Sequence, residues 1–239
     1  MSRLVKITLW MSGLMLLIFL IRMPIQVNEE QFVMGFSLPL SGKVIVVDPG
    51  HGGPDGGAVG ADGTLEKDIA LNVSFKLRDF LQQAGAEVYM TRETDRDLAQ
   101  EGTKGLSRRK SEDIRQRLAI IEMKNPDLFL SIHLNALSST RWRGAQTFYY
   151  PSREENKHLA KLIQEEIIRN LENTNREALS IDGVYLLKQV KSPGALVEIG
   201  FLSNAEEREL LKQEIYQEKM AASIYEGILR FFTEELPEE

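Results

Sequence analysis

Residues 43–57 read KVIVVDPGHGGPDGG, and the fold follows from how this stretch is read. Lys43 to Asp48 is a continuous β-branched run of the kind that forms a strand buried on both faces. It passes directly into a loop with seven glycines between Gly50 and Gly63 and with His51 in their midst. In an open α/β sheet, ligands bind just beyond the carboxyl ends of the strands, so the residues leaving this strand bear on function as well as on fold.

Downstream, apolar runs alternate with helical patterns. Glu66 to Gln83 places Ile69, Val73, Leu77, Phe80 and Leu81 at helical spacing, and Gly85 stops it. Glu87 to Met90 reads as a strand, Ser111 to Lys124 as a charged amphipathic helix, and Leu128 to Leu134 as a strand. Ala145 to Tyr150 is an aromatic strand and His158 to Leu171 a helix. Val184 to Leu187 and Ala195 to Ile199 read as short strands, and Ile215 to Phe232 as a closing helix. This alternation predicts an α/β fold with a largely parallel, twisted sheet of about six strands, covered by helices on both faces. The polar, glycine-containing stretch Glu93 to Lys110 reads as a mobile insertion.

Upstream, the chain opens with a basic start (Arg3, Lys6) and an uncharged, mostly apolar run from Ile7 to Ile21. That is the pattern of an export signal. The following residues offer no small-x-small cleavage site, which favours an uncleaved membrane anchor over a cleaved signal peptide. The expected organisation is an export segment over residues 1–31, a linker over 32–42 and a catalytic domain over 43–239. The protein is expected to be exported to the outer face of the cytoplasmic membrane or the wall space, anchored there or secreted.

Composition narrows the chemistry. Hydrophobic residues make up 43% and charged ones 27%, enough apolar material for a substantial core. With 29 basic against 35 acidic residues the net charge is −6, which argues against nucleic acid as a partner. There are no cysteines, which removes thiol nucleophiles, disulfides and thiolate zinc sites. Any metal must be held by carboxylates and by the three histidines, His51, His133 and His158.

Three strand exits are unusual. The first presents His51, the third ends in SIHLNA with His133, and the last ends in ALVEIG with Glu198. The glycines after the first strand match neither G-x-x-x-x-G-K-[ST] nor G-x-G-x-x-G, so they are not read as a phosphate loop. They are read as a backbone folded tightly around an object at the strand end. Two histidines at neighbouring strand exits suit one zinc ion, with Glu66 at the start of the first helix as third ligand. A His2Glu set leaves a fourth position for water, as a catalytic zinc requires, and Glu198 is placed to take that water's proton.

Each residue also has a plainer reading. His51 fits a turn residue, His133 a satisfied core histidine, Glu66 a helix-start carboxylate and Glu198 a buried structural acid. His158 lies in a Lys- and Glu-rich helix and is read as solvated. Asp48 and Asn135 read equally as ligand-orienting groups or as ordinary strand-end hydrogen bonders.

VVDPGHGGPDGG, TLEKDIALNVSFKL around Glu66, Tyr89 to Arg92, RQRLAIIEMKNPDLFLSIHLNA and GALVEIGFLSN occur in that order. This series resembles the zinc-dependent N-acetylmuramoyl-L-alanine amidases of the Amidase_3 family, and the match extends from Lys43 onward. The resemblance implies a three-layer α/β/α fold, a zinc held by His51, Glu66 and His133, and Glu198 as the catalytic carboxylate. It implies hydrolysis of the amide between the lactyl group of muramic acid and L-alanine in peptidoglycan. A lone catalytic domain behind an apolar segment, without wall-binding repeats, resembles the germination-specific (CwlD-type) amidases that act in spore cortex maturation toward muramic lactam. The expected partners are peptidoglycan and the membrane, with an accessory sporulation lipoprotein as a further candidate of which the sequence carries no sign. The alternatives are a vegetative wall amidase, a wall-binding pseudoenzyme and another zinc hydrolase acting on the wall.

Overall fold

The structure is a computed structural model that describes residues 2–22 and 38–234. It divides into two units, residues 1–37 and 38–239.

In the first unit, Arg3–Arg22 forms a 20-residue helix, α1, with Leu4, Trp10 and Met15 exposed. Among the described residues no helix is long and apolar enough to cross a membrane. The uncharged run from Ile7 to Ile21 spans only ~22 Å at ~1.5 Å per residue, against a hydrocarbon core of ~30 Å. The helix therefore lends no support to the spanning anchor expected from the sequence. The cleavage question falls on residues 23–37, outside the described residues.

The second unit runs β1 (Val44–Pro49), α2 (Glu66–Gln83), β2 (Glu87–Met90), α3 (Leu106–Lys124), β3 (Leu128–Asn135) and β4 (Gln146–Tyr149). It continues through α4 (Glu154–Leu171), β5 (Leu179–Ser180), α5 (Tyr185–Gln189), β6 (Gly194–Phe201), α6 (Ala205–Leu211) and α7 (Glu214–Thr233). The six strands form one sheet in the order β2-β1-β3-β6-β4-β5. All neighbouring pairs are parallel except β4 with β6. The unit begins at Leu38, and Leu40 is fully buried, its amide bonded to the Ala84 carbonyl at 2.9 Å. The linker expected over 32–42 thus gives its last residues to the folded domain.

The apolar strands are buried on both faces because their side chains alternate. Ile45, Val47, Leu130, Ile132, Val197 and Ile199 pack with α2, α4 and α7 into one core. Val46, Phe129 and Leu196 point the other way and meet Ile121 of α3 and Leu186 and Leu187 of α5 in a smaller one. The result is three layers. In α2, Ile69, Val73, Leu77 and Leu81 recur every four residues and are buried, each contributing on the order of 1.5–3 kcal/mol. Gly85, at φ 96°, ends that helix in the left-handed conformation suited to glycine.

Two expectations are corrected. Val184 to Leu187 is not a strand: Tyr185–Gln189 is one helical turn and more, and the fifth strand is the two-residue Leu179–Ser180 at the sheet edge. A four-residue apolar run has no period that separates strand from helix. The segment Glu93 to Lys110 is fastened rather than loose, and α3 already begins at Leu106. Asp95 accepts from Lys67 Nζ at 2.7 Å and from Gly53 N at 2.8 Å, Asp97 pairs with Arg109, and Leu98 N donates to Asp113 at 2.8 Å.

The candidate metal centre

Alternation along the strands also places the polar residues. Asp48 shares the face of Val46, Ser131 and His133 that of Phe129, and Glu198 that of Leu196. All therefore lie toward α3 and α5, at the carboxyl edge of the sheet. There the smaller core gives way to a cleft of about 240 Å³ reached by His51, His133, Lys110, Ile114, Tyr185 and Leu186.

Glu66 is the first residue of α2 and 2% exposed. Its Oε1 accepts from Leu134 N at 2.8 Å and lies 2.9 Å from His133 Nδ1; its Oε2 accepts from Ala58 N at 2.6 Å and lies 3.2 Å from His51 Nε2. The helix-start reading of Glu66 is too weak, since this carboxylate is pinned between two histidines. Burial alone would raise its pKa, but the bonds to His133 and His51 hold it well below the usual carboxylate range. The His51 and His133 rings stand 5.0 Å apart, nearly perpendicular. The donor atoms of His51, Glu66 and His133 all lie within 4.8 Å of one another, a set of a size to hold one metal ion.

The glycines make room for this cluster. A Cβ on Gly50 would lie 2.4 Å from the His133 ring, and one on Gly57 would lie 2.5 Å from Glu66 Oε2. Close approach of the backbone to His133 and Glu66, rather than to a phosphate, explains glycine at these two positions.

Glu198 is the register partner of His133 on β6. Its Oε2 is buried without a hydrogen-bond partner, and burial pushes its pKa up to about 7. An unpartnered buried carboxylate oxygen near the converging His51, Glu66 and His133 fits a site able to take a cation. His158 lies elsewhere, half-buried against Phe231, with Nε2 unpartnered and its pKa lowered by burial. It is not the solvated side chain expected from its charged neighbours.

Sequence reasoning missed three contributors. Arg117 is 2% exposed; it pairs with Asp48 at 2.8 Å and Asp113 at 2.9 Å and donates to the carbonyls of Pro49 and His51. Arg92, equally buried, donates to the carbonyls of Pro49, Gly50 and Lys67. Asp55 accepts from the His51 ring at 2.9 Å. The signal for Arg117 was its spacing of four from Asp113 on the helix face that meets the sheet. The Asp48 carboxylate is bonded to Thr91, Ser131 and Arg117 rather than to His51, Glu66 or His133, and serves by holding Arg117.

The sequence matches the Amidase_3 family, N-acetylmuramoyl-L-alanine amidase, over residues 45–230. The chain belongs to this amidase family. Among curated relatives it is 56% identical, over 94% of its length and 95% of the relative's, to the germination-specific N-acetylmuramoyl-L-alanine amidase of Bacillus subtilis. Among solved structures, the CwlD amidase of Clostridioides difficile, determined in complex with the GerS lipoprotein, superposes with a TM-score of 0.79 at 43% identity, covering 81% of this chain and 100% of that one. The catalytic domain of the amidase CwlV from Paenibacillus polymyxa gives 0.69 at 29% identity, covering 81% and 99%. The six-stranded, mostly parallel sheet between helices is thus the amidase fold.

Proposed function

We propose that this amidase uses zinc to hydrolyse the amide between the lactyl group of N-acetylmuramic acid and L-alanine in peptidoglycan, in the maturation of spore cortex. The observation that carries the reading is the convergence of His51, Glu66 and His133 near the buried, unpartnered Oε2 of Glu198, with His51 and His133 lining a cleft. His51, Glu66 and His133 would hold the ion. When bound, zinc supplies Lewis acidity toward the lactyl carbonyl and makes water a competent nucleophile near neutral pH.

The chain's own residues supply the rest. Glu198 Oε2, with no competing donor, takes a proton from the attacking water and returns it to the alanine nitrogen as the carbon–nitrogen bond breaks. The products are a free lactyl carboxylate and a free alanine amine, and no covalent enzyme intermediate is needed. Ile114, Val184 and Leu186 give the cleft an apolar wall against which a substrate can pack.

The spore role rests on the likeness to the germination-specific relative, and an accessory lipoprotein partner on the complex formed by the Clostridioides amidase. We assign residues 1–31 to export and the folded unit that contains 43–239 to catalysis; α1, with the basic Arg3 and Lys6 in its first turns, delivers the domain to the wall side of the cytoplasmic membrane. The test is to strip purified protein with a chelator, restore zinc, and incubate it with peptidoglycan. New alanine amino groups without new reducing ends are expected only with zinc. Reducing ends would indicate a glycan hydrolase, and binding without either product would indicate a pseudoenzyme.

A further inference from the structure

We infer that Asp55 is a positioning residue for the metal centre, fixing the His51 ring so that Nε2 faces Glu66 and His133; this rests on the reading of His51 as a zinc ligand. An imidazole has two nitrogens, and which one meets a metal is set by the hydrogen bond that the other makes. In His51 the division is made by the loop. Nε2 lies 3.2 Å from Glu66 Oε2, and Nδ1 lies 2.9 Å from Asp55 Oδ2.

The sequence brings Asp55 there by a tight turn. Gly52 and Asp55 exchange both backbone hydrogen bonds, Gly52 N to Asp55 O at 3.0 Å and Asp55 N to Gly52 O at 3.2 Å. This folds Gly53-Pro54 into a reverse turn and swings Asp55, four residues on, back over the His51 ring. His51 itself sits at φ 59°, a left-handed conformation rare for a residue with a side chain, and Arg117 binds its carbonyl. Backbone and ring are therefore both held.

Asp55 is itself held. Gly57 N donates to Oδ1 at 3.2 Å, and Lys110 Nζ of α3 lies 3.1 Å from Oδ2. A carboxylate this close to a ligand histidine is a potential competing ligand. With both oxygens engaged, Asp55 stays an acceptor for His51 and leaves the ion to Glu66. His133 needs no such partner, because its ring packs against Gly50 and its Nδ1 meets Glu66 directly.

The test is zinc affinity of the full chain, measured by competition with a chromophoric chelator, with melting of the stripped protein as a control on folding. Asp55→Ala is expected to bind zinc about 10- to 100-fold more weakly, the usual effect of removing such an orienting partner. Asp55→Asn, which keeps an acceptor oxygen, should recover most of the loss. In zinc-loaded wild type, nitrogen–proton correlation spectra of the His51 ring should place the proton on Nδ1 and zinc on Nε2, a reading that needs no variant to fold. Wild-type affinity in Asp55→Ala, an Asn variant no better than Ala, or zinc on Nδ1 would overturn the inference. A wild type that binds no zinc would overturn the metal reading itself, and this inference with it.

Discussion

His133 and Glu198 are register partners on the parallel strands β3 and β6, the first turned to Glu66 at 2.9 Å and the second carrying a buried oxygen with no partner. Adjacent strands with one side-chain alternation thus bring the two side chains to one face of the sheet, where the proposed mechanism uses the first as a ligand and the second as a proton acceptor. Their separate roles make separate predictions.

Glu198→Gln is expected to keep its zinc and lose turnover by about 10²- to 10⁴-fold, the usual worth of a general base. Zinc content by atomic absorption and the rate of alanine amine release check this on one sample. Zinc lost together with activity would make Glu198 a ligand instead.

Gly50→Ala places a methyl group 2.4 Å from the His133 ring. The ring has to move, at a cost on the order of 1–3 kcal/mol for overpacking. Lower melting temperature and weaker zinc binding are expected together. A variant with unchanged zinc affinity would show that the Gly50 contact does not set the ring position.

Arg117→Met removes the cation beside Asp48, leaving a carboxylate 1% exposed without its charge partner. Breaking such a buried pair costs about 3–5 kcal/mol. Urea unfolding should report a loss of that order. A loss below about 1 kcal/mol would mean that the pair is as weak as a surface one.

The same pair gives stability a pH dependence. Burial would raise the Asp48 pKa, but the Arg117 charge and bonds from Thr91, Ser131 and Arg117 hold it below its ordinary 3.8. A carboxyl lowered in the folded state stabilises fully above its unfolded pKa, and that contribution is lost as pH falls through the folded value. Wild type and Asp48→Asn should therefore differ most above about pH 4 and converge in unfolding free energy on acidification below the ordinary value. Parallel curves down to pH 2 would sink this assignment.

Most of the architecture was legible because long patterned segments carry their own period. Glu66 to Gln83, with buried residues every fourth position, and the β-branched run into Asp48 admit one reading each. Val184 to Leu187 admits two, and tertiary packing of Leu186 and Leu187 against Phe129 and Leu196 decided for helix. At the site, the residues at strand exits were legible because topology alone brings strand ends together. Asp55 was not, since its role arises from a turn geometry that leaves no periodic mark; Arg117 was legible only as a helix-face partner of Asp113, four residues away, and not through its buried bonds to the Pro49 and His51 carbonyls. The fastening of Glu93 to Lys110 escaped for a related reason: its bonds to Lys67, Gly53 and Asp113 are long-range, while its composition is that of a loop.

The most direct measurement of the central claim is mass spectrometry of peptidoglycan digested by the zinc-loaded protein in ¹⁸O-water. The account predicts one ¹⁸O atom in the lactyl carboxylate of muramic acid and an unlabelled, free alanine amine on the released stem peptide. Label at a sugar anomeric carbon, or at a carboxyl within the stem peptide, would contradict it.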